Sequence, residues 1–125
     1  MQVVLDEHGA PLKRFKLEVT PAAPPAAVYQ LGRMMVQVTE RGTGRAVGAR
    51  FGGRLVIPTK TGTSSDLRDS WFAGFTGNVV AVTWVGYDDN RPTGLTGALG
   101  ALPIWLGAMA ELKPKSWEMA APPEV

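Results

Sequence analysis

This sequence predicts an α+β domain: a mostly antiparallel sheet, formed by an N-terminal hairpin and three C-terminal strands, carried with two main helices. Three observations predict it. Residues 70–76 and 79–87 are rich in β-branched and aromatic side chains and meet at a turn pair, Gly77-Asn78. Val28, Leu31, Met35 and Val38 recur at steps of three, four and three, the period of one helical face. Glycine and proline fill 25 of 125 positions, 15 and 10 respectively, against an average of about 12%, which puts many turns around short elements. With 45% apolar and 19% charged side chains, the 125 residues make one domain at most.

Taken in order, residues 2–6 and about 12–19 read as two strands joined through His8-Gly9-Ala10-Pro11, a spacing that suits a hairpin. Pro21, Pro24 and Pro25 interrupt any regular element and make a linker. A helix starts at Ala26 and stops at Gly42 and Gly44, with Arg41 and Arg45 placed to meet the negative end of its dipole. Residues 54–63 read as a strand that opens with Leu55-Val56-Ile57 and turns polar at Lys60. Strand alternation sends Val79, Ala81, Thr83 and Val85 to one side and Val80, Val82 and Trp84 to the other. Both sides are apolar, which predicts a central strand covered on each face. The last helix spans about residues 96–112 with a kink or restart at Pro103, and residues 113–125 form a loose tail marked by Pro114, Pro122 and Pro123. Trp71, Phe72, Trp84 and Trp105 alternate with small residues and read as core.

The counts of rare residues remove whole classes of chemistry. There is no cysteine, so disulfides, thiolate metal sites and cysteine nucleophiles are excluded. The single histidine, His8, lies in a turn-like Asp6-Glu7-His8-Gly9, which leaves no histidine for a triad or a zinc site elsewhere. No cofactor and no metal are expected. Thirteen basic against eleven acidic residues give a net charge of +2 without clustering, which argues against nucleic acid as a partner. The longest apolar stretch, residues 99–110, contains Gly100, Pro103 and Gly107 and is shorter than the roughly 20 residues a spanning helix needs, so no membrane contact by this chain is expected. The N-terminal residues also lack the pattern of a signal peptide.

Lys60-Thr61-Gly62-Thr63 invites comparison with a phosphate-binding loop, but Thr59 and Arg54 stand where that loop needs glycines. Residues 42–48 similarly miss a dinucleotide fingerprint by one position and follow a helix rather than a strand. Asp88-Asp89, beside Asn90, Arg91 and Pro92, reads as a turn rather than an acid/base pair. What remains is a strand edge carrying a cation, hydroxyls and a glycine. Alternation aims Lys60 and Gly62 to one side and Thr61 and Thr63 to the other, while Gly62 removes the side chain that would hold a ligand's backbone away. Such an edge suits a carboxylate on an extended peptide.

The segment KTGTSSDLRDSWFAGFTGNVVAVTWVGYDDNRP resembles the third to fifth strands of the penicillin-binding transpeptidase family, in which Lys-Thr-Gly-Thr is followed by a Trp-Phe-x-Gly strand. Upstream, VTERGTGRAVG resembles the helix before that strand in the bifunctional, class A members, and VTWVGYDDNRPTGLTGALGALPIW resembles their last strand and last helix, with wording similar to the 1B type. The resemblance runs over about residues 3–112 and implies a partial transpeptidase fold whose parent cross-links peptidoglycan stem peptides through an acyl-serine intermediate and is acylated there by β-lactams. By position, it implies that Lys60 assists proton relay and charge balance at the nucleophile, that Thr61 and Thr63 bind the terminal carboxylate of the stem peptide or β-lactam, that the Thr63 N–H joins an oxyanion hole, and that Gly62 permits close approach. It implies a parent at the periplasmic face of the inner membrane.

Two departures from that family stand out. Pro58-Thr59 precedes the lysine where members usually carry a small residue and glycine, which puts a branched side chain just behind the strand. None of Ser64, Ser65, Ser70 and Ser116 has a lysine three residues on or an asparagine two residues on. The expectation is therefore a C-terminal piece of a transpeptidase domain, residues 1–125, without its own nucleophile, inactive alone, and with an apolar sheet face left open by the missing N-terminal part. The alternative is a non-catalytic fragment or interaction module that retains the framework.

Overall fold

The computed structural model describes residues 2–16, 18, 20–123 and 125. Its centre is a three-stranded antiparallel sheet in the order β3-β4-β5, with β3 at Thr59–Thr63, β4 at Ser70–Phe75 and β5 at Val80–Val85. Strands β1 (Gln2–Leu5) and β2 (Pro11–Phe15) form a separate antiparallel pair with a bulge between Val4 and Leu5. The turn expected at His8 to Pro11 is present: Asp6 Oδ1 accepts the His8 and Ala10 N–H groups at 2.9 and 2.8 Å, and Gly9 takes a positive φ of 81°. His8 itself is exposed, 3.5 Å from Glu7. The second strand is shorter than its sequence suggests, and Leu17 and Val19 lie outside the described residues.

One face of the sheet carries Ser70, Phe72 and Gly74 of β4 opposite Val85, Thr83 and Ala81 of β5. Helix α3 (Ala101–Glu111) packs there through Ala101, Leu102, Trp105 and Met109. Trp105 is fully buried, meets the Phe72 ring edge-on at 5.2 Å and donates its Nε1–H to the Ala81 carbonyl at 3.0 Å. Gly74 makes room for it, because a Cβ at that position would lie 2.7 Å from Trp105 Cζ2 and 2.9 Å from Thr59 Cγ2. Pro103 falls in the first turn of α3, where its missing N–H costs nothing, so the helix begins at Ala101 and no kink is needed.

The opposite face carries Lys60, Trp71, Ala73, Phe75, Val80, Val82 and Trp84. Val80 and Val82 are 79% and 60% exposed, and Trp71 and Trp84 are each 44% exposed. The expected open apolar face is therefore present. Trp71 and Trp84 are on it rather than in the core, while Phe72 and Trp105 are core residues as expected. The expectation that β5 is central is corrected: β4 occupies the middle and β5 an edge. Two-sided apolarity records what a strand can be covered by, and here only one side is covered.

Helix α1 (Pro25–Glu40) matches the periodic stretch but buries Gly32, Val36 and Thr39, whereas Val28 and Leu31 stay exposed. A second helix, α2 (Arg45–Arg50), follows it and inserts Val47 into the core, so Arg45 opens α2 instead of closing α1. Strand β3 starts only at Thr59, and the preceding Leu55-Val56-Ile57 is extended chain outside the sheet, with Ile57 in the core. The segment after α3, expected as a loose tail, is held at several points: the Trp117 N–H donates to Val56 O at 2.8 Å, Gly77 N–H to Lys115 O at 3.0 Å, and the Trp117 ring stacks edge-on to Phe75 at 5.7 Å while lying against Gly32.

Candidate functional site

The phase of the β3–β4 ladder decides what the edge strand offers. Phe75 N–H donates to Pro58 O at 3.1 Å and Ser64 N–H to Asp69 O at 3.1 Å, at the two ends of a continuous register that pairs Lys60 with Ala73 and Gly62 with Trp71. Hydrogen-bonded pairs alternate in an antiparallel ladder, so Lys60 and Gly62 pair with β4 through their main chain. The N–H and C=O groups of Thr61 and Thr63 then face away from β4, toward the open side of the edge. Lys60 Nζ donates to the Thr61 carbonyl at 2.6 Å, on that same side.

The side chains divide as alternation requires. Lys60 is exposed and shares its face with Trp71 and Trp84, while Thr61 and Thr63 project to the helix side. Thr61 Oγ1 lies 2.8 Å from Thr43 Oγ1, which belongs to the turn between α1 and α2. Thr63 Oγ1 accepts the Gly97 N–H at 3.0 Å. Gly62 is partly buried and packs against Trp71. Thr59, immediately behind Lys60, is fully buried, and among the described residues its hydroxyl has no hydrogen-bond partner.

Two loops clasp the far end of β3. The Leu67 carbonyl accepts the Thr93 N–H and Oγ1–H at 2.8 and 2.7 Å, and Arg68 donates to the Asn90 carbonyl. Asp66 and Leu67 hold left-handed φ angles of 57° and 54°, a conformation costly for non-glycine residues, at about 1–2 kcal/mol each. Asp69 closes this connection: its carboxylate accepts Trp84 Nε1–H at 2.9 Å and Ser64 Oγ–H at 2.8 Å. Those two hydrogen bonds, with help from the Arg68 charge and against partial desolvation, hold its carboxyl below the usual aspartate range. Asp88-Asp89 is the expected turn, closed by Asn90 N–H to Tyr87 O at 2.9 Å.

An open cleft of about 560 Å³ is lined by Arg41, Gly42, Thr43, Arg45, Ala46 and Ala98, of which Thr43 also contacts Thr61. Thr43 and Gly97 are the site neighbours that sequence reasoning missed. Each contacts a threonine of β3 from 18 and 34 positions away, and no local spacing encodes such a contact. Among the described residues no group of three His, Asp or Glu side chains could hold a metal, and no helix is long and apolar enough to cross a membrane.

No family model matches the chain. Individual proteins do. The chain is 38% identical over 125 residues to penicillin-binding protein 1B of Escherichia coli (strain K12), a match over 100% of this chain and 15% of that protein. It is 41% identical over 105 residues to penicillin-binding protein 1B of Vibrio cholerae, covering 84% of this chain and 13% of that protein. Penicillin-binding protein 1A of Pseudomonas aeruginosa is 39% identical over 101 residues, covering 78% and 12%. The crystal structure of penicillin-binding protein 1A from Haemophilus influenzae superimposes with a TM-score of 0.53 at 34% identity over 65% of this chain and 13% of that one. The chain thus spans 15% or less of the length of these curated relatives.

Proposed function

We propose, on the premise that this chain is a homologue of the penicillin-binding proteins of types 1B and 1A, that it supplies the Lys60-Thr61-Gly62-Thr63 wall of a peptidoglycan D,D-transpeptidase site at the periplasmic face of the bacterial inner membrane. The single observation that carries the reading is the edge geometry of β3: a solvent-facing cation and two threonines whose main-chain groups turn away from β4. An acceptor-only carboxylate needs donors, and this edge offers the Lys60 ammonium and the hydroxyls of Thr61 and Thr63.

In the proposed reaction a serine outside this sequence attacks the penultimate D-Ala carbonyl of a stem peptide. A basic relay takes the serine proton, the tetrahedral oxyanion accepts a hydrogen bond from the Thr63 N–H, and collapse expels the terminal D-Ala as its amine takes that proton from the relay, leaving an acyl-serine ester. An acceptor amine then attacks the ester, and its proton passes through the relay to the departing serine oxygen. Lys60 balances the charge that develops at the serine. Thr61 and Thr63 hold the terminal carboxylate, so the peptide lies along the β3 edge with its scissile carbonyl beside Thr63. A β-lactam follows the same path as far as the acyl ester.

The experiment is acylation by a fluorescent penicillin of the complete gene product that contains this chain. Labelling is expected there and not on the 125-residue chain by itself, whose serines lack the Ser-x-x-Lys context. Lys60→Ala in the complete product should slow acylation by roughly 10²–10³-fold, the scale of removing one group that stabilises charge developing in the transition state. Labelling at an unchanged rate in Lys60→Ala would refute the role. A complete product that takes no label would favour a second reading, a non-catalytic module that keeps the framework, for which the absence of Ser-x-x-Lys and Ser-x-Asn from this sequence speaks.

A further inference from the structure

We infer that Thr43, in the turn between α1 and α2, is a positioning residue that orients the Thr61 hydroxyl as a carboxylate donor. The inference rests on the proposed carboxylate-binding role of the β3 edge and adds to it a residue from outside that strand. Thr43 Oγ1 and Thr61 Oγ1 lie 2.8 Å apart, and either can donate. Each hydroxyl has one hydrogen and two lone pairs. When Thr61 gives its hydrogen to a carboxylate, the contact between the hydroxyls survives only with Thr43 as donor and Thr61 as acceptor. Binding an anion therefore sets the direction of the whole chain, Thr43 to Thr61 to carboxylate, and each bond in such a chain polarises the next.

The turn is built to keep Thr43 in place. Gly42 and Gly44 both donate their N–H groups to Val38 O, at 3.2 and 3.0 Å, and the next residues continue as α2 with Arg45 N–H to Gly42 O at 3.3 Å and Val47 N–H to Gly44 O at 2.9 Å. Gly44 is buried against Thr59, where a Cβ would come within 3.0 Å of the Thr59 hydroxyl. The residues on both sides of Thr43 are thus fixed by the main chain. Its hydroxyl is presented to Thr61 by a constrained turn rather than by a free loop, which is the condition for preorganised recognition.

The test compares second-order acylation rates of the complete gene product by benzylpenicillin and by its methyl ester, which lacks the anionic carboxylate. Thr43→Val keeps the shape of the side chain and removes the donor. It is expected to slow acylation by the acid roughly fivefold to twentyfold, the scale of one hydrogen bond in a charge-assisted chain, and to leave the rate with the ester within twofold. Thr43→Ser restores the donor and is expected to react with the acid within twofold of the unsubstituted protein. A structural defect would slow acid and ester alike, so equal loss with both, no loss with the acid, or failure of Thr43→Ser to rescue overturns the inference. If in those cases Lys60→Ala still slows acylation, the proposed function stands without Thr43. A complete product inert to benzylpenicillin overturns both.

Discussion

Replacing Thr59 by valine should stabilise the fold by removing one buried oxygen atom. Thr59 is fully buried behind Lys60, and among the described residues its Oγ1 has no hydrogen-bond partner. Its methyl is useful, since Cγ2 fills the space beside Gly74. Its hydroxyl faces Gly44, where a Cβ would lie 3.0 Å from it, and the Gly44 N–H is already given to the Val38 carbonyl. Burying a hydroxyl unpaired costs about 1–3 kcal/mol. Valine has nearly the same outline without that cost, so Thr59→Val should gain about 1–2 kcal/mol, allowing for some relaxation of the native site. Thr59→Ser should do the reverse, keeping the orphan hydroxyl and deleting the methyl, for a loss of about 1 kcal/mol from the vacated space. Urea denaturation followed by tryptophan fluorescence reads both. With a slope near 2 kcal/mol per molar, the valine variant should move the midpoint up by roughly 0.5–1 M and the serine variant down by roughly 0.5 M. A valine variant less stable than the parent would refute the argument, because it would mean that the hydroxyl is satisfied in the folded protein.

Further outcomes follow from the same packing. Trp105→Ala should cost about 3–5 kcal/mol in urea denaturation and Trp71→Ala clearly less, because the first ring is sealed against Phe72 and the second is 44% exposed on the open face. Gly32→Ala, normally a gain of about 1 kcal/mol in a helix, should instead expose the segment around residue 117 to limited proteolysis, since a Cβ there collides with the Trp117 ring. Asp69→Asn should destabilise at neutral pH by weakening the acceptor for Trp84 and Ser64. The folded-state pKa of Asp69 is depressed, so its contribution is complete above the ordinary aspartate value and is lost as pH falls through the lower folded value. Thermal melts of parent and Asp69→Asn should therefore keep a constant gap down to about pH 4 and begin to converge only below it, and a gap that stays constant at every pH down to acid unfolding would contradict the assignment.

How much of this was legible in the sequence depends on the range of the interaction that fixes each part. The β4–β5 hairpin was readable because alternation and the Gly77-Asn78 turn are local, and the side-chain faces came out as alternation dictates. Whether a face is covered is not a local property, which is why Trp71 and Trp84 read as core and β5 as central. Helix α1 was readable by its apolar period, yet its buried stripe is Gly32, Val36 and Thr39. A hydrophobic count cannot find a stripe anchored by a glycine, and it is the Trp117 ring, brought from 85 positions away, that occupies the space Gly32 leaves. Helix α2 has six residues with a glycine inside, too short for any period to register. The run Leu55-Val56-Ile57 has strand propensity but hydrogen-bonds instead to the tail, through Val56 N–H to Ser116 Oγ at 2.9 Å and Val56 O to Trp117 N–H at 2.8 Å. At the site, the split of Lys60 and Gly62 from Thr61 and Thr63 was legible, whereas Thr43 and Gly97 reach the strand only through the tertiary fold.

The division of labour along β3 follows from what restrains each side chain. Thr61 and Thr63 are each tied by a side-chain oxygen to another part of the chain, the α1–α2 turn in one case and the segment before α3 in the other. Their hydroxyls are preset, and a carboxylate that binds them need not freeze their rotamers. Lys60 is exposed, and its ammonium bonds only to the adjacent Thr61 carbonyl among the described residues. Drawing it away costs one exposed hydrogen bond, about 1 kcal/mol, while a lysine carries about 2 kcal/mol of rotamer entropy that a fixed partner would have to overcome. On the proposed function, a charge poised in this way suits a group that must follow a proton during a reaction, and a fixed pair of hydroxyls suits recognition of an anion that must stay still. On that reading the strand divides recognition from charge balance by a one-residue alternation: the anchored hydroxyls lie on the helix side, and the Lys60 side chain leaves from the opposite face and brings its ammonium to the edge at the Thr61 carbonyl.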